Sequence, residues 1–112
     1  MSVASGSDAP VTYPDWRQGV ATMILRESQA SGRVSGPGQR ITLAEALRTY
    51  TINGARQDFA EDWKGSLEVG KIADLCVLDR DLLTIDPHDI PTARVLMTVL
   101  GGQIVHDDTE GA

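Results

Sequence analysis

The spacing of the apolar residues changes from a helical to a strand-like period near the middle of the chain. Trp16, Val20 and Ile24 recur at every fourth position, which predicts a helix over residues 15–30 with Asp15 as its N-cap. In the second half the apolar residues instead form short continuous runs. Because helices come first and strands follow, the order differs from the βαβ alternation of a complete parallel sheet. We therefore expect an α/β or α+β fold.

A second helix is predicted over residues 42–55. Thr42 and Glu45 have the T-x-x-E spacing of a capping box, in which the hydroxyl and the carboxylate each bond the other residue's backbone N–H. Asn53 and Gly54 tolerate positive φ, so we expect them near the end of this helix. Residues 31–39, with three glycines and one proline, are predicted to form the loop between the two helices.

Strands are predicted over residues 72–78, 94–100 and 103–106, where β-branched and aliphatic side chains are concentrated. The dipeptide Gly101-Gly102 separates the last two runs. Two glycines between apolar runs are typical of a tight hairpin whose turn requires positive φ. The sequence therefore predicts that the last two strands pair in an antiparallel manner.

Composition narrows the classes of partner. The 112 residues include 16 acidic and 10 basic side chains, giving a net charge of −6. Such a surface repels phosphate backbones and anionic lipid headgroups, which argues against nucleic acid and membrane partners. Neither a signal peptide nor an apolar run of bilayer length is evident, and the lone Cys76 cannot form an internal disulfide. We expect a soluble, cytoplasmic protein.

Most residues capable of chemistry lack the neighbours that chemistry requires. His88 and His106 are isolated, and no H-x-H or C-x-x-C pair is present to begin a metal site. Cys76 lies in the apolar run LCVL, so we interpret it as a small buried hydrophobic residue with a raised thiol pKa. Ser7 lacks the G-x-S-x-G pattern of a nucleophile elbow. None of these residues predicts catalysis by itself.

Asp8 has a more suggestive position. Residues 1–5 are compatible with the end of a strand, and the turn that follows contains Gly6 and Pro10. Barrel enzymes present catalytic groups from the carboxyl ends of strands, which is the position predicted for Asp8. The same spacing also fits an aspartate that merely caps a turn. One carboxylate does not make a site, and both interpretations remain open on spacing alone.

Four blocks of the sequence together resemble one family. They are residues 6–11 (GSDAPV), 42–47 (TLAEAL), 50–55 (YTINGA) and 65–75 (GSLEVGKIADL). In this order the blocks resemble the metal-dependent amidohydrolase superfamily, in the branch that includes N-substituted formamide deformylases. The closing stretch, residues 95–105, is similar to the end of such enzymes. The resemblance is to the C-terminal portion of a complete enzyme, about its last fifth.

The resemblance implies an incomplete fold. Residues 1–62 would be the C-terminal end of a TIM barrel, with its last strand, an active-site loop and two outer helices. Residues 63–112 would supply strands of a small composite β-sandwich. Asp8 would be the catalytic aspartate that contacts the metal and accepts a proton from the attacking water. Tyr13, Asp15 and Trp16 follow this loop and are candidates for substrate contact, although capping and packing explain Asp15 and Trp16 equally well.

The resemblance also implies what is missing. The histidines and other ligands of such enzymes lie outside this sequence, so zinc or another divalent metal is expected only in the complete enzyme. We expect none in the isolated chain, which we predict to be inactive. The complete enzyme would hydrolyse carbon–nitrogen bonds of small amides or formamides. The chain itself would form a homo-oligomer or dock on the missing N-terminal hydrolase portion. The alternatives are a noncatalytic self-associating module and one subunit of a split hydrolase.

Overall fold

The computed structural model of the protein describes residues 3–10, 13–28 and 30–109. Helices precede strands, as predicted. The elements are α1 (Trp16–Leu25), α2 (Leu43–Thr49), α3 (Ile52–Gln57), β1 (Leu75–Leu78), β2 (Val95–Leu100) and β3 (Gln103–Asp107). Two 3-10 helices, Pro37–Gln39 and Pro87–Thr92, lie in the connections.

Helix α1 begins where the sequence predicts but ends five residues early. Asp15 is the N-cap, and its side chain accepts a hydrogen bond from the Arg17 backbone N–H. The predicted end at residue 30 is wrong, because Arg26 adopts φ 56° and ψ 33° and closes the helix at Leu25. The Ser35 N–H donates to the Arg26 carbonyl over 2.8 Å, so a turn folds back where further helix was expected. Gln29 lies outside the described residues.

The predicted helix over residues 42–55 is two helices. Its start is confirmed, since Thr42 and Glu45 form both bonds of the capping box. The helix breaks at Thr51, whose φ of −127° and ψ of −100° are not helical. The Thr51 hydroxyl donates to the Leu47 carbonyl over 2.8 Å, a side-chain bond that competes with the helical pattern and favours bending. The Asn53-Gly54 pair, predicted near the end, lies inside α3.

The three strands form one antiparallel sheet in the order β1-β2-β3. The predicted hairpin is confirmed: Leu100 pairs with Gln103 across Gly101 and Gly102, whose φ values are 57° and 82°. Strand β1 starts three residues later than predicted, at Leu75. The Asp74 carboxylate accepts from the Gly101 N–H over 2.7 Å, and this contact ties the hairpin turn to the start of β1.

The predicted strand at residues 1–5 is not formed where the structure can test it. Residues 1 and 2 lie outside the described residues, and Val3, Ala4 and Ser5 belong to no strand. Ser5 instead donates its N–H to the Thr49 carbonyl over 2.9 Å, at the end of α2. A parallel strand needs a partner strand, and the sheet described here is built from later residues.

The core lies between the helices and the second 3-10 helix. Val20 and Ala21 of α1, Ala46 of α2 and Ile90 form its fully buried centre. Among the described residues, Val20 and Ile90 are the largest side chains with complete burial. Ile90 thus joins the helical half to the later half of the chain. The division at residues 62 and 63 stays a prediction, and the two halves share this core.

Candidate functional site

Asp8 lies on an exposed turn next to a cavity. Its φ of 54° is in the left-handed region, which aspartate adopts more readily than most residues. The two residues before it, Gly6 and Ser7, line the cavity, whereas Asp8 itself does not. Val11 and Thr12 lie outside the described residues. The structure therefore places Asp8 at the surface, beside a concave region and accessible to other groups.

This concave region, here called the Tyr50 cavity, has a volume of about 460 Å³. Its lining includes both polar and apolar surface and comes from the Asp8 loop, α1 and the residue after α2. The lining residues are Gly6, Ser7, Tyr13, Asp15, Gln18, Gly19, Thr22, Met23 and Tyr50. Two of the three residues predicted to contact substrate, Tyr13 and Asp15, are thus brought together.

The third, Trp16, lies elsewhere. It packs against the core formed by Val20, Ala46 and Ile90, so its role is structural. Tyr13 is the opposite case, because 85% of its surface is exposed at the cavity. An aromatic ring with so much free area can contact an apolar or planar ligand.

Asp15 is held by Arg17. The Arg17 Nε donates to Asp15 Oδ1 over 2.9 Å, and the Arg17 backbone N–H donates to the same oxygen over 3.1 Å. Arg17 Nη1 also donates to the Ala93 carbonyl over 2.5 Å. The cap of α1 is therefore tied to the end of the second 3-10 helix. Asp15 therefore lines the cavity from a fixed position. Its role as the N-cap of α1 is sufficient to explain an aspartate at this position.

Tyr50 is a cavity residue that the sequence did not identify. Burial raises the pKa of its phenol, and the negative charge of Asp15 raises it further. The hydroxyl therefore keeps its proton at neutral pH and can donate a hydrogen bond. No sequence signal marks this role, because Tyr50 follows the apolar stripe of α2 and is 35 residues from Asp15.

His88 is exposed and, contrary to the prediction, is not isolated. Its Nδ1 lies 2.8 Å from Asp86 Oδ1, and its Nε2 lies 2.9 Å from Glu27 Oε2. Hydrogen bonds to Asp86 and Glu27, together with the charge of Glu27, raise the pKa of the imidazole. A protonated His88 bridges the segment after α1 to the second 3-10 helix, which is a structural contact.

The remaining candidates do not build a reactive centre. Cys76 is exposed, which corrects the prediction that it is buried, because β1 is an edge strand of the sheet. Partial burial still raises the pKa of its thiol, which disfavours the reactive thiolate. His106 Nε2 lies 3.3 Å from the Val95 carbonyl in the hairpin. Within residues 3–10, 13–28 and 30–109, no three His, Cys, Asp or Glu side chains converge to hold a metal.

Lys71 and Asp74 serve the turn before β1. Lys71 Nζ donates to Ser66 Oγ over 2.8 Å and pairs with Glu68 over 3.0 Å. Asp74 accepts from the hairpin turn, as described above. Both residues therefore have a structural role. A separate finding is that no helix in the described part of the chain is long and apolar enough to cross a bilayer.

Comparison with known proteins identifies extensive similarity. The model of the amidohydrolase family matches residues 1–106. "Putative amidohydrolase YtcJ" of Bacillus subtilis is 32% identical over 106 residues, which are 93% of this chain and 20% of the relative. The N-substituted formamide deformylase of Arthrobacter pascens is 34% identical over 109 residues, which are 97% of this chain and 20% of that enzyme.

A solved structure also matches nearly all of this chain and only a part of its own. The crystal structure of an amidohydrolase from Thermotoga maritima superposes with a TM-score of 0.67 at 26% identity. The superposition covers 96% of this chain and 23% of the Thermotoga chain. The chain thus spans about a fifth of the length of the curated relatives it matches.

Proposed function

Because the chain belongs to the amidohydrolase family, we propose that it is the C-terminal part of a metal-dependent hydrolase of carbon–nitrogen bonds. The observation that carries this proposal is the family match across residues 1–106, which includes the exposed loop of Asp8 beside the Tyr50 cavity. The relative named as an N-substituted formamide deformylase supports small amides or formamides as the substrate class.

Amidohydrolases of this family generally use divalent metals, and we propose zinc for the complete enzyme. The described residues of this chain do not fit a metal by themselves, because Asp8 has no second and third ligand beside it. A catalytic metal site needs about three protein ligands. The chain's proposed contribution is therefore one carboxylate, Asp8, acting as ligand and proton acceptor in a site completed by other residues.

The Tyr50 cavity is the proposed location for part of the substrate. The protonated phenol of Tyr50 can donate a hydrogen bond, and the exposed ring of Tyr13 offers apolar area. Asp15, fixed by Arg17, adds a negative charge at the cavity wall. These groups suit a small molecule with both a polar and an apolar part.

The two alternatives concern the chain as a whole. The small core and the exposed apolar side chains, such as Phe59, Leu67 and Val69, favour association. This feature supports both a noncatalytic module that self-associates and a split hydrolase completed by a second polypeptide.

We propose the cytoplasm as the location, based on the acidic composition and the single cysteine.

Asp8→Asn tests the catalytic proposal. The chain is co-expressed with the four fifths of the Arthrobacter pascens N-substituted formamide deformylase that lie outside the matched region, and hydrolysis of an N-substituted formamide is measured. We expect the variant to lose about 10²–10⁴-fold in kcat, since a general base contributes about that factor. Asp62→Asn, which removes an exposed carboxylate outside the cavity, is the control. Equal activity of Asp8→Asn and the unaltered complex would contradict the role of Asp8.

A further inference from the structure

Gly19 leaves open the space that the Tyr50 hydroxyl occupies in the Tyr50 cavity. It lies inside α1 and is one of the residues that line the cavity. A Cβ placed at Gly19 would overlap the Tyr50 hydroxyl oxygen and lie 3.2 Å from the ring Cζ. Glycine destabilises the interior of a helix, so its presence here needs a specific reason. The close approach of the tyrosine hydroxyl supplies that reason.

The ring of Tyr50 is anchored away from the cavity. Tyr50 is the C-cap of α2, and its N–H donates to the Leu47 carbonyl over 3.1 Å. The side chain packs against the core that contains Val20 and Ala46. Tyrosine has an apolar body and a polar tip, and here the core holds the apolar body. The hydroxyl therefore reaches the cavity across the open position at Gly19.

The half-buried Tyr50 hydroxyl is a hydrogen-bond donor without an acceptor in the described part of the chain. Other polar groups of the lining have partners. Gln18 Nε2 donates to Thr22 Oγ1 over 3.3 Å, and the Thr22 hydroxyl donates to the Gln18 carbonyl over 2.9 Å. Both Asp15 carboxylate oxygens accept from the Arg17 guanidinium. Since buried tyrosine hydroxyls usually have a partner, the position suits an acceptor atom of a molecule in the cavity.

The position of Asp8 indicates which part of a substrate would lie in this cavity. Gly6 and Ser7 line it, whereas Asp8, the proposed site of the chemistry, does not. An amide bond cleaved beside Asp8 would therefore lie outside the cavity. In an N-substituted formamide the carbonyl carbon carries only a hydrogen atom besides the nitrogen. The substituent on nitrogen is thus the part of the substrate that can extend into the cavity.

We propose that Gly19 is a positioning residue, whose missing side chain allows the Tyr50 hydroxyl to donate a hydrogen bond to an oxygen acceptor in the N-substituent of the substrate. The substrate class narrows accordingly to formamides whose substituent carries such an acceptor. A site built to hydrogen-bond a substrate group discriminates against the analogue that lacks this group. The inference rests on the proposed function, with Asp8 as the site of the chemistry.

Two substrates of equal chain length test this recognition. N-(2-methoxyethyl)formamide has an ether oxygen where N-butylformamide has a methylene group. Hydrolysis of both is measured with the chain co-expressed with the unmatched four fifths of the Arthrobacter pascens enzyme. The measured quantity is the ratio of kcat/KM for the ether substrate to kcat/KM for the butyl substrate. Tyr50→Phe and Gly19→Ala should each lower this ratio by about three- to tenfold, the contribution of one hydrogen bond.

Gly54→Ala is the matched control. Gly54 also lies inside a helix, but no atom lies within 4 Å of a Cβ placed there, and it does not line the cavity. The control variant should therefore leave the ratio of the two substrates unchanged.

Urea unfolding of the chain by itself tests the contact between Gly19 and Tyr50 without any activity. Gly19→Ala should lower the urea midpoint of the unaltered chain, because the added methyl group displaces the hydroxyl. In the Tyr50→Phe background the same change should raise the midpoint, because the hydroxyl is absent and alanine favours the helix. Gly54→Ala should shift the midpoint by the same amount in both backgrounds.

Each outcome decides the proposal. An equal midpoint shift by Gly19→Ala in both backgrounds overturns it, as does an unchanged substrate ratio in Tyr50→Phe. A fall of the ratio in Gly54→Ala as large as that in Gly19→Ala also overturns it. If the unaltered complex hydrolyses neither formamide, the proposed function fails, and the ratio of the two dissociation constants, measured by calorimetry, decides the inference in the same way. An unaltered complex that binds neither formamide overturns it.

Discussion

At the scale of single residues, two glycines before β1 adopt positive φ under different constraints. Gly65 has φ 100°, and a Cβ placed there would lie 2.7 Å from the Ala55 Cβ and 3.1 Å from the Ile52 Cα. Gly70 has φ 92°, with no atom within 4 Å of such a Cβ. Backbone conformation restricts both positions, but only Gly65 is also restricted by the close approach of α3.

This difference predicts unequal costs of substitution. Gly70→Ala should lower the free energy of unfolding by about 1–2 kcal/mol, from backbone strain alone. Gly65→Ala should cost about 1–3 kcal/mol more, because the added methyl group also forces α3 to move. Urea unfolding of both variants measures the difference. If the two variants are equally stable, the close packing of Gly65 on Ala55 does not limit this position.

At the scale of elements, the segment after α1 is attached to the second 3-10 helix by ionisable side chains. Glu27 lies just beyond α1 and pairs with Val34 in an isolated bridge, so it belongs to the turn that replaces the predicted end of the helix. His88 joins Glu27 to Asp86, and Asp86 is the N-cap of the 3-10 helix. A protonated imidazole satisfies both carboxylates at once.

The His88 contacts predict a pH dependence. The pKa of His88 is raised above 6.5 in the folded state by Asp86 and Glu27. Its stabilising contribution is therefore fully present below about pH 6.5 and is lost as pH rises through the higher folded pKa. Glu27→Gln should lower the His88 pKa, whereas Asp89→Asn, which removes a nearby carboxylate without a contact to the ring, should change it little. NMR titration of the imidazole measures both, and an unchanged pKa in Glu27→Gln would exclude the bridge.

At the scale of the whole molecule, much of the apolar side-chain surface is not covered by the chain itself. Its buried centre is small, and large apolar side chains are exposed on the loop before β1 and on both later strands. The chain matches about a fifth of the length of its relatives. Contacts that would bury these side chains in a longer chain must come from other residues. The proposal that the chain is the C-terminal part of a longer hydrolase would account for both the exposed apolar area and the single candidate ligand, Asp8.

The shortage of ligands predicts the metal content. The isolated chain, purified without chelators, should contain far less than one zinc per chain. A catalytic zinc site has about three protein ligands, and a single carboxylate binds the ion too weakly to retain it. The complex with the co-expressed segment should retain the metal through dialysis. Elemental analysis of both samples measures this. About one zinc per isolated chain, with no partner present, would overturn this prediction.

Local signals of the sequence identified several elements correctly. The Asp15 cap, the Thr42–Glu45 capping box and the Gly101-Gly102 hairpin each depend on residues only a few positions apart, so neighbours along the chain determine them. The resemblance to amidohydrolases, carried by short blocks of sequence, is confirmed by the family match. The catalytic role of Asp8 stays a prediction.

Other features were decided only by contacts between distant residues. The fold-back after α1 at Leu25 and the exposure of Cys76 on an edge strand depend on backbone hydrogen bonds and sheet pairing that local periodicity does not contain. The same holds for the approach of Tyr50 to Asp15. The sequence by itself determined where α1 and α2 start, where the hairpin turns and which family the chain resembles. Tertiary structure alone decided which side chains share a cavity and which strand lies at the sheet edge, because those contacts join residues far apart in the chain.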